Sequence, residues 1–180
     1  MAIAIARNIA LGQAASFLKL PIVFDSIRTV LATVLAGPVA GGLMGLLTNL
    51  IRGLIQGLTA AFFAPVALVT GVVAGLLARV GFFREVWQAA ISGVIVTIAL
   101  ALIPVPIRIY LFGGVTGSGA DFLTAYPLKL GQDLFPSVLI TVPGWNIADQ
   151  VLTCVLVWGI LRGLPGRATS DWPFLAHSRA

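Results

Sequence analysis

Between residues 39 and 58, Gly41, Gly45, Asn49, Arg52 and Gln56 follow one another at spacings of four, four, three and four. That rhythm places all five on one helical face, with small residues in one half and two amides and a guanidinium in the other. A second set, Asn146, Asp149, Gln150 and Thr153, recurs at spacings of three, one and three. A third, Asp25, Arg28 and Thr29, stands at the start of another apolar run. Amides, carboxylates and guanidinium groups on helix faces suit the hydrogen-bonded capture of a polar small molecule. The candidate binding residues are therefore Asp25, Arg28, Thr29, Asn49, Arg52, Gln56, Asn146, Asp149 and Gln150.

The elements that position these groups belong to a membrane protein. The 180 residues are 59% hydrophobic and 9% charged, against roughly 45–50% apolar and 25% charged in soluble domains. A net charge of +5, from 11 Lys and Arg against 6 Asp and Glu, is scattered along the chain. It reads as membrane topology, since no polar domain presents it to nucleic acid. One cysteine, Cys154, and one histidine, His177 in the polar tail, supply neither a disulfide, a metal site nor a histidine-based triad. Asp25, Asp121, Asp133 and Asp149 form no compact acid–base motif, so no catalytic residue is assigned. No Gly-x-x-x-x-Gly-Lys-Ser/Thr loop is present to cradle a nucleotide, and no cofactor is expected in this chain.

About six spans emerge, at residues 1–18, 21–36, 39–58, 65–78, 86–103 and 144–161. The fold class expected is an all-α membrane protein with about six transmembrane helices. Residues 1–162 form the membrane domain, with a long outer loop at about 104–143 whose stretch LFPSVLITV can form the outer turn of the last helix. Residues 163–180 form a polar cytoplasmic tail. With both termini cytoplasmic, Arg7, Arg79, Arg84, Arg162, Arg167 and Arg179 all lie inside, the better assignment because basic residues in short connections resist translocation. The expected location is the prokaryotic inner or plasma membrane, crossed several times.

A charge at the bilayer centre costs about 2.5–3.5 kcal/mol on insertion scales, so the three polar sets should face protein, water or ligand. All three then fall in the outer halves of their helices and converge on one outward-facing site. A purely structural role stands beside this reading: Arg52 with Asp149 as a buried ion pair, and Asn49 bonded to a neighbouring helix. Gly71 and Gly75 read as helix packing, Trp87 and Trp158 as interface anchors, and Cys154 as a small core residue. Arg28, Arg52 and Arg108, all towards the outside, suit an anionic ligand group, but the four aspartates can neutralise them.

The stretch VFDSIRTVLATVLAGPVAGGLMGLLTNLI, with Asp25, Thr29, Gly37-Pro38, Gly41, Gly45 and Thr48-Asn49, resembles the substrate-binding S components of energy-coupling-factor (ECF) vitamin transporters. The final helix, NIADQVLTCVLVWGILRGLP, resembles the end of such proteins. The resemblance implies an S-component-like bundle that captures a vitamin or related micronutrient from outside. It also implies a membrane T component and two cytoplasmic ATPases as partners, which use the ATP. The family's Ala-x-x-x-Ala docking surface is matched by Ala6, Ala10 and Ala14, flanked by Arg7 and Asn8. Two other readings remain open: a stand-alone small transporter or channel lined by the same stripes, and an intramembrane enzyme acting on lipids.

Overall fold

The apolar runs fold as helices, and where glycine and proline interrupt them the chain turns. A computed structural model describes residues 24–101, 103–116, 120–131 and 133–163, and no strand occurs among them. The expected first span, with Ala6, Ala10 and Ala14, and the tail from residue 164 lie outside the described residues.

Helix α1 (Phe24–Ala36) ends at Gly37, whose φ of 96° only glycine adopts without strain, and Pro38 opens α2 (Pro38–Gln56). Proline suits this first turn because its missing N–H would have had no intrahelical partner. A short helix α3 (Leu58–Phe62) replaces the expected plain connection and leads into α4 (Ala64–Arg79) and α5 (Val86–Leu100).

Residues 104–143, expected as a long outer loop, hold short helices, and the stretch LFPSVLITV forms the first turns of the last helix. Three residues of helix, α6 (Pro104–Pro106), run into a π-helical turn, Ile107–Leu111. Helix α7 (Ala120–Lys129) follows, and the last helix, α8, begins at Leu134 and continues to Gly163. Pro136 sits in its first turn, where amides need no helical acceptor, and Pro143 is accommodated within it. At about 1.5 Å per residue the 30 residues of α8 reach about 45 Å, well beyond the roughly 30 Å hydrocarbon core.

Close helix contacts define the arrangement. Helix α2 lies along α4, with α1 against both, and α5 lies along α8, which α1 also touches. A Cβ added to Gly71 would come 2.7 Å from the Gly42 Cα, and one on Gly93 would come 2.5 Å from the Val151 Cα. These helix axes approach more closely than side chains on both faces would allow, the packing mode of small residues in membranes. Gly41 and Gly45 do the same against Thr33 and against Thr29 with Ala67, so the small half of the α2 stripe is a packing surface.

The core between α1, α4, α5 and α8 contains Val30, Val34, Ala74, Ala89, Val96, Cys154 and Val157. The bundle's outer surface is also apolar: Leu43, Met44, Leu47, Ile51, Leu54, Ile55 and Ile98 are among the exposed residues. Hydroxyls such as those of Thr33, Ser92, Thr97, Ser137 and Thr153, and the amides of Asn49 and Gln150, are buried instead. Several close their hydrogen bonds on the carbonyl four residues back in the same helix, as Thr70 does on Val66 and Ser92 on Gln88. Polar groups inside and hydrocarbon outside is the distribution a lipid environment demands.

Among the described residues, two helices are long and apolar enough to cross a membrane alone, at Pro38–Ile55 and Leu134–Gly163. A third results if Val86–Leu100 and Pro104–Leu111, bent by 58°, count as one span, and Ser26–Ala36 and Ala64–Arg79 are shorter apolar helices.

Candidate functional site

Helix register brings parts of two of the polar sets, with Ser26 between them, to one level. Thr29 of α1 lies opposite Gly45 of α2, so Ser26, almost one turn earlier in α1, approaches the level of Asn49. Ser26 in turn donates from Oγ to Oδ2 of Asp149 on α8 at 3.4 Å. On the remaining wall, Oγ1 of Thr97 in α5 donates to the Asn146 carbonyl at 3.2 Å, one turn of α8 before Gln150. Asn49, Ser26 and Asp149 thus form a polar layer towards the end where α1 begins and α2 finishes.

Most of this layer is withdrawn from the surface. Thr29 and Asp149 are 9% exposed, Asn49 7%, Gln150 5% and Thr153 2%. Arg28, Arg52 and Asn146 are half-buried. Asp25 and Gln56 belong to α1 and α2, but their side chains lie outside the described part of the structure.

Asn49 donates from Nδ2 to the Phe63 carbonyl at 3.2 Å. It therefore clamps the α3–α4 junction as well as facing the layer. The buried Oε1 of Gln150 has no hydrogen-bond partner. An unsatisfied buried acceptor costs free energy unless a donor arrives, so the Gln150 amide is open to an N–H or O–H group.

A roof spans this end of the bundle, and its details were invisible in the sequence. Arg108 in the π turn pairs with Asp121 at the start of α7 through Nη1 and Oδ1 at 2.9 Å. Asp121 also accepts from the Thr116 amide at 2.9 Å and from its hydroxyl at 3.2 Å. Phe112 meets Phe62 edge-on, with centroids 5.9 Å apart, and stacks on Phe63 at 6.4 Å. Thr124 and Thr141 share a hydrogen bond of 3.1 Å between α7 and α8. The described residues between 104 and 129 are thereby fastened to the α3–α4 junction on one side and to α8 on the other. Arg108, one of three arginines considered for an anionic ligand, is engaged by this roof.

Residues 1–163 match the family model described as the ECF transporter, substrate-specific component. The chain belongs to that family. No curated protein and no solved structure matches it. As an ECF substrate-specific component, the protein is the transporter subunit concerned with choosing a substrate. Among the described residues, no three of His, Cys, Asp and Glu gather to hold a metal ion.

Proposed function

We infer that this protein is the high-affinity, membrane-embedded substrate-binding subunit of an ATP-dependent uptake system for a micronutrient, a vitamin or related small molecule. The observation that carries the reading is the set of buried polar residues Thr29, Asn49, Asp149, Gln150 and Thr153, with half-buried Ser26 bonded to Asp149, within a bundle whose outer surface is apolar. Carboxylate and amide acceptors there suit a ligand rich in N–H and O–H groups, with Arg28 and Arg52 at the margin for any anionic portion.

In this reading the layer and roof face outward, both termini are cytoplasmic, and about six helices cross the membrane. A T component docks on Ala6, Ala10 and Ala14, two cytoplasmic ATPases supply the energy, and nucleotide never binds this chain. Co-expression with a T component and two ATPases in cells, followed by mass spectrometry of accumulated metabolites, tests the reading. One metabolite should accumulate only when all four components are present and the ATPases are active. Accumulation with this chain alone would place it among stand-alone transporters.

A further inference from the structure

The end of the bundle opposite the polar layer carries a second concentration of charge. Arg79 closes α4, Arg84 lies in the turn before α5 and Arg162 lies in the last turn of α8, all three exposed. Specific bonds hold Arg162 and Trp158 against the Arg84 backbone. Arg162 donates from Nη2 to the Arg84 carbonyl at 2.7 Å, and Trp158 donates from Nε1 to the same oxygen at 3.3 Å. The Arg162 guanidinium also lies over the Trp158 ring, 5.4 Å from its centroid. One acid stands nearby, Glu85, and its carboxylate accepts from the Trp87 indole.

The surface beside these arginines is apolar: Val80 is 73% exposed, Trp87 54%, Leu76 50% and Val86 46%. A cationic rim next to exposed tryptophan and aliphatic side chains matches one kind of molecule, an anion with a hydrocarbon body. Guanidinium groups bind phosphate oxygens in paired hydrogen bonds, and indole rings settle at the headgroup level. Arg162 spends one of its five N–H groups on the Arg84 carbonyl, which leaves donors for a phosphate.

We propose that the surface formed by Arg79, Arg84, Arg162 and Trp87 binds the headgroup of an anionic phospholipid. The bound lipid ties the α4–α5 turn to the end of α8 at the membrane surface. This site is separate from the polar layer and does not depend on what that layer binds.

The test uses the full chain reconstituted in vesicles of equal phosphatidylglycerol and phosphatidylcholine. Protein is extracted in mild detergent and its retained phospholipid counted by mass spectrometry. Phosphatidylglycerol should be enriched on the wild type, less so at high salt, and its association should fall roughly fivefold for each arginine lost in Arg79→Gln and Arg84→Gln. Arg79→Lys with Arg84→Lys, which keeps the charge, should retain most of the enrichment, and Lys129→Gln at the other end should retain all of it. Absence of enrichment on the wild type overturns the proposal. So does equal enrichment in the Gln variants with wild-type melting temperature, or displacement of the lipid by millimolar inorganic phosphate, which would indicate a site for a soluble anion.

Discussion

The Ser26 hydroxyl donates to Asp149 Oδ2 across 3.4 Å, linking the beginning of α1 to the middle of α8. A bond of this length is weak, and a ligand donor can outcompete it. Ser26→Ala should therefore change the melting temperature little. Asp149→Asn keeps the size of the side chain and removes its charge. If Asp149 accepts from the ligand, this change should weaken binding by about 1.5–3 kcal/mol, roughly ten- to a hundredfold. Paired melting and binding curves check both expectations. A large loss of melting temperature in Asp149→Asn with unchanged affinity in the folded fraction would assign the carboxylate to structure alone.

The glycine contacts predict where bulk is not tolerated. Gly71→Leu would drive a side chain into the Gly41–Gly42 backbone of α2, and should destabilise the bundle by at least the roughly 1–3 kcal/mol typical of overpacking. Gly159→Leu, at a position with open space around it, should cost far less. Thermal melts of the two proteins in the same detergent give the comparison.

Much of this packing was legible in advance. The four-residue spacing of Gly41 and Gly45, and of Gly71 and Gly75, is a local periodic signal, and each pair lies in a helix contact. Gly37-Pro38 marked a turn because both residues impose backbone angles whatever surrounds them. Within residues 104–143 the prolines are poor guides to helix ends: Pro136 stands in the first turn of α8, where a proline removes no helical bond, while Pro127 and Pro143 lie inside α7 and α8. Ser26, Phe112 and the pairing of Arg108 with Asp121 left no periodic trace. Their partners are distant in sequence or separated by an irregular turn, and only the tertiary fold selects among several candidates.

The Arg108–Asp121 pair should act as the fastener of the roof. Breaking a buried pair by removing one partner typically costs about 3–5 kcal/mol, because the other charge is stranded. Arg108→Leu should therefore speed hydrogen exchange across residues 104–129. The double variant with Asp121→Leu should recover part of the protection. Additive losses in the two single variants would show that the pair is not coupled.

Partner docking is expected at Ala10, on the segment that resembles the family's contact surface. Ala10→Trp should block close helix approach and reduce uptake in cells carrying the T component and ATPases, while ligand binding by the isolated subunit survives. Loss of binding together with uptake would assign this segment to the subunit's own core.

The central claim is that the buried layer holds a substrate, and the most direct measurement is the small-molecule content of the purified protein. Wild-type protein, isolated from cells grown in rich medium and denatured, should release one metabolite in near-stoichiometric amount by mass spectrometry. Purified alongside with unchanged melting temperatures, Asp149→Asn should release at least tenfold less of it, as loss of a charge-assisted hydrogen bond implies at roughly 1.5–3 kcal/mol, and Asn146→Ala severalfold less, as loss of a neutral one implies at about 0.5–1.5 kcal/mol. No metabolite above a mock preparation, or equal amounts from wild type and both variants, would contradict the account.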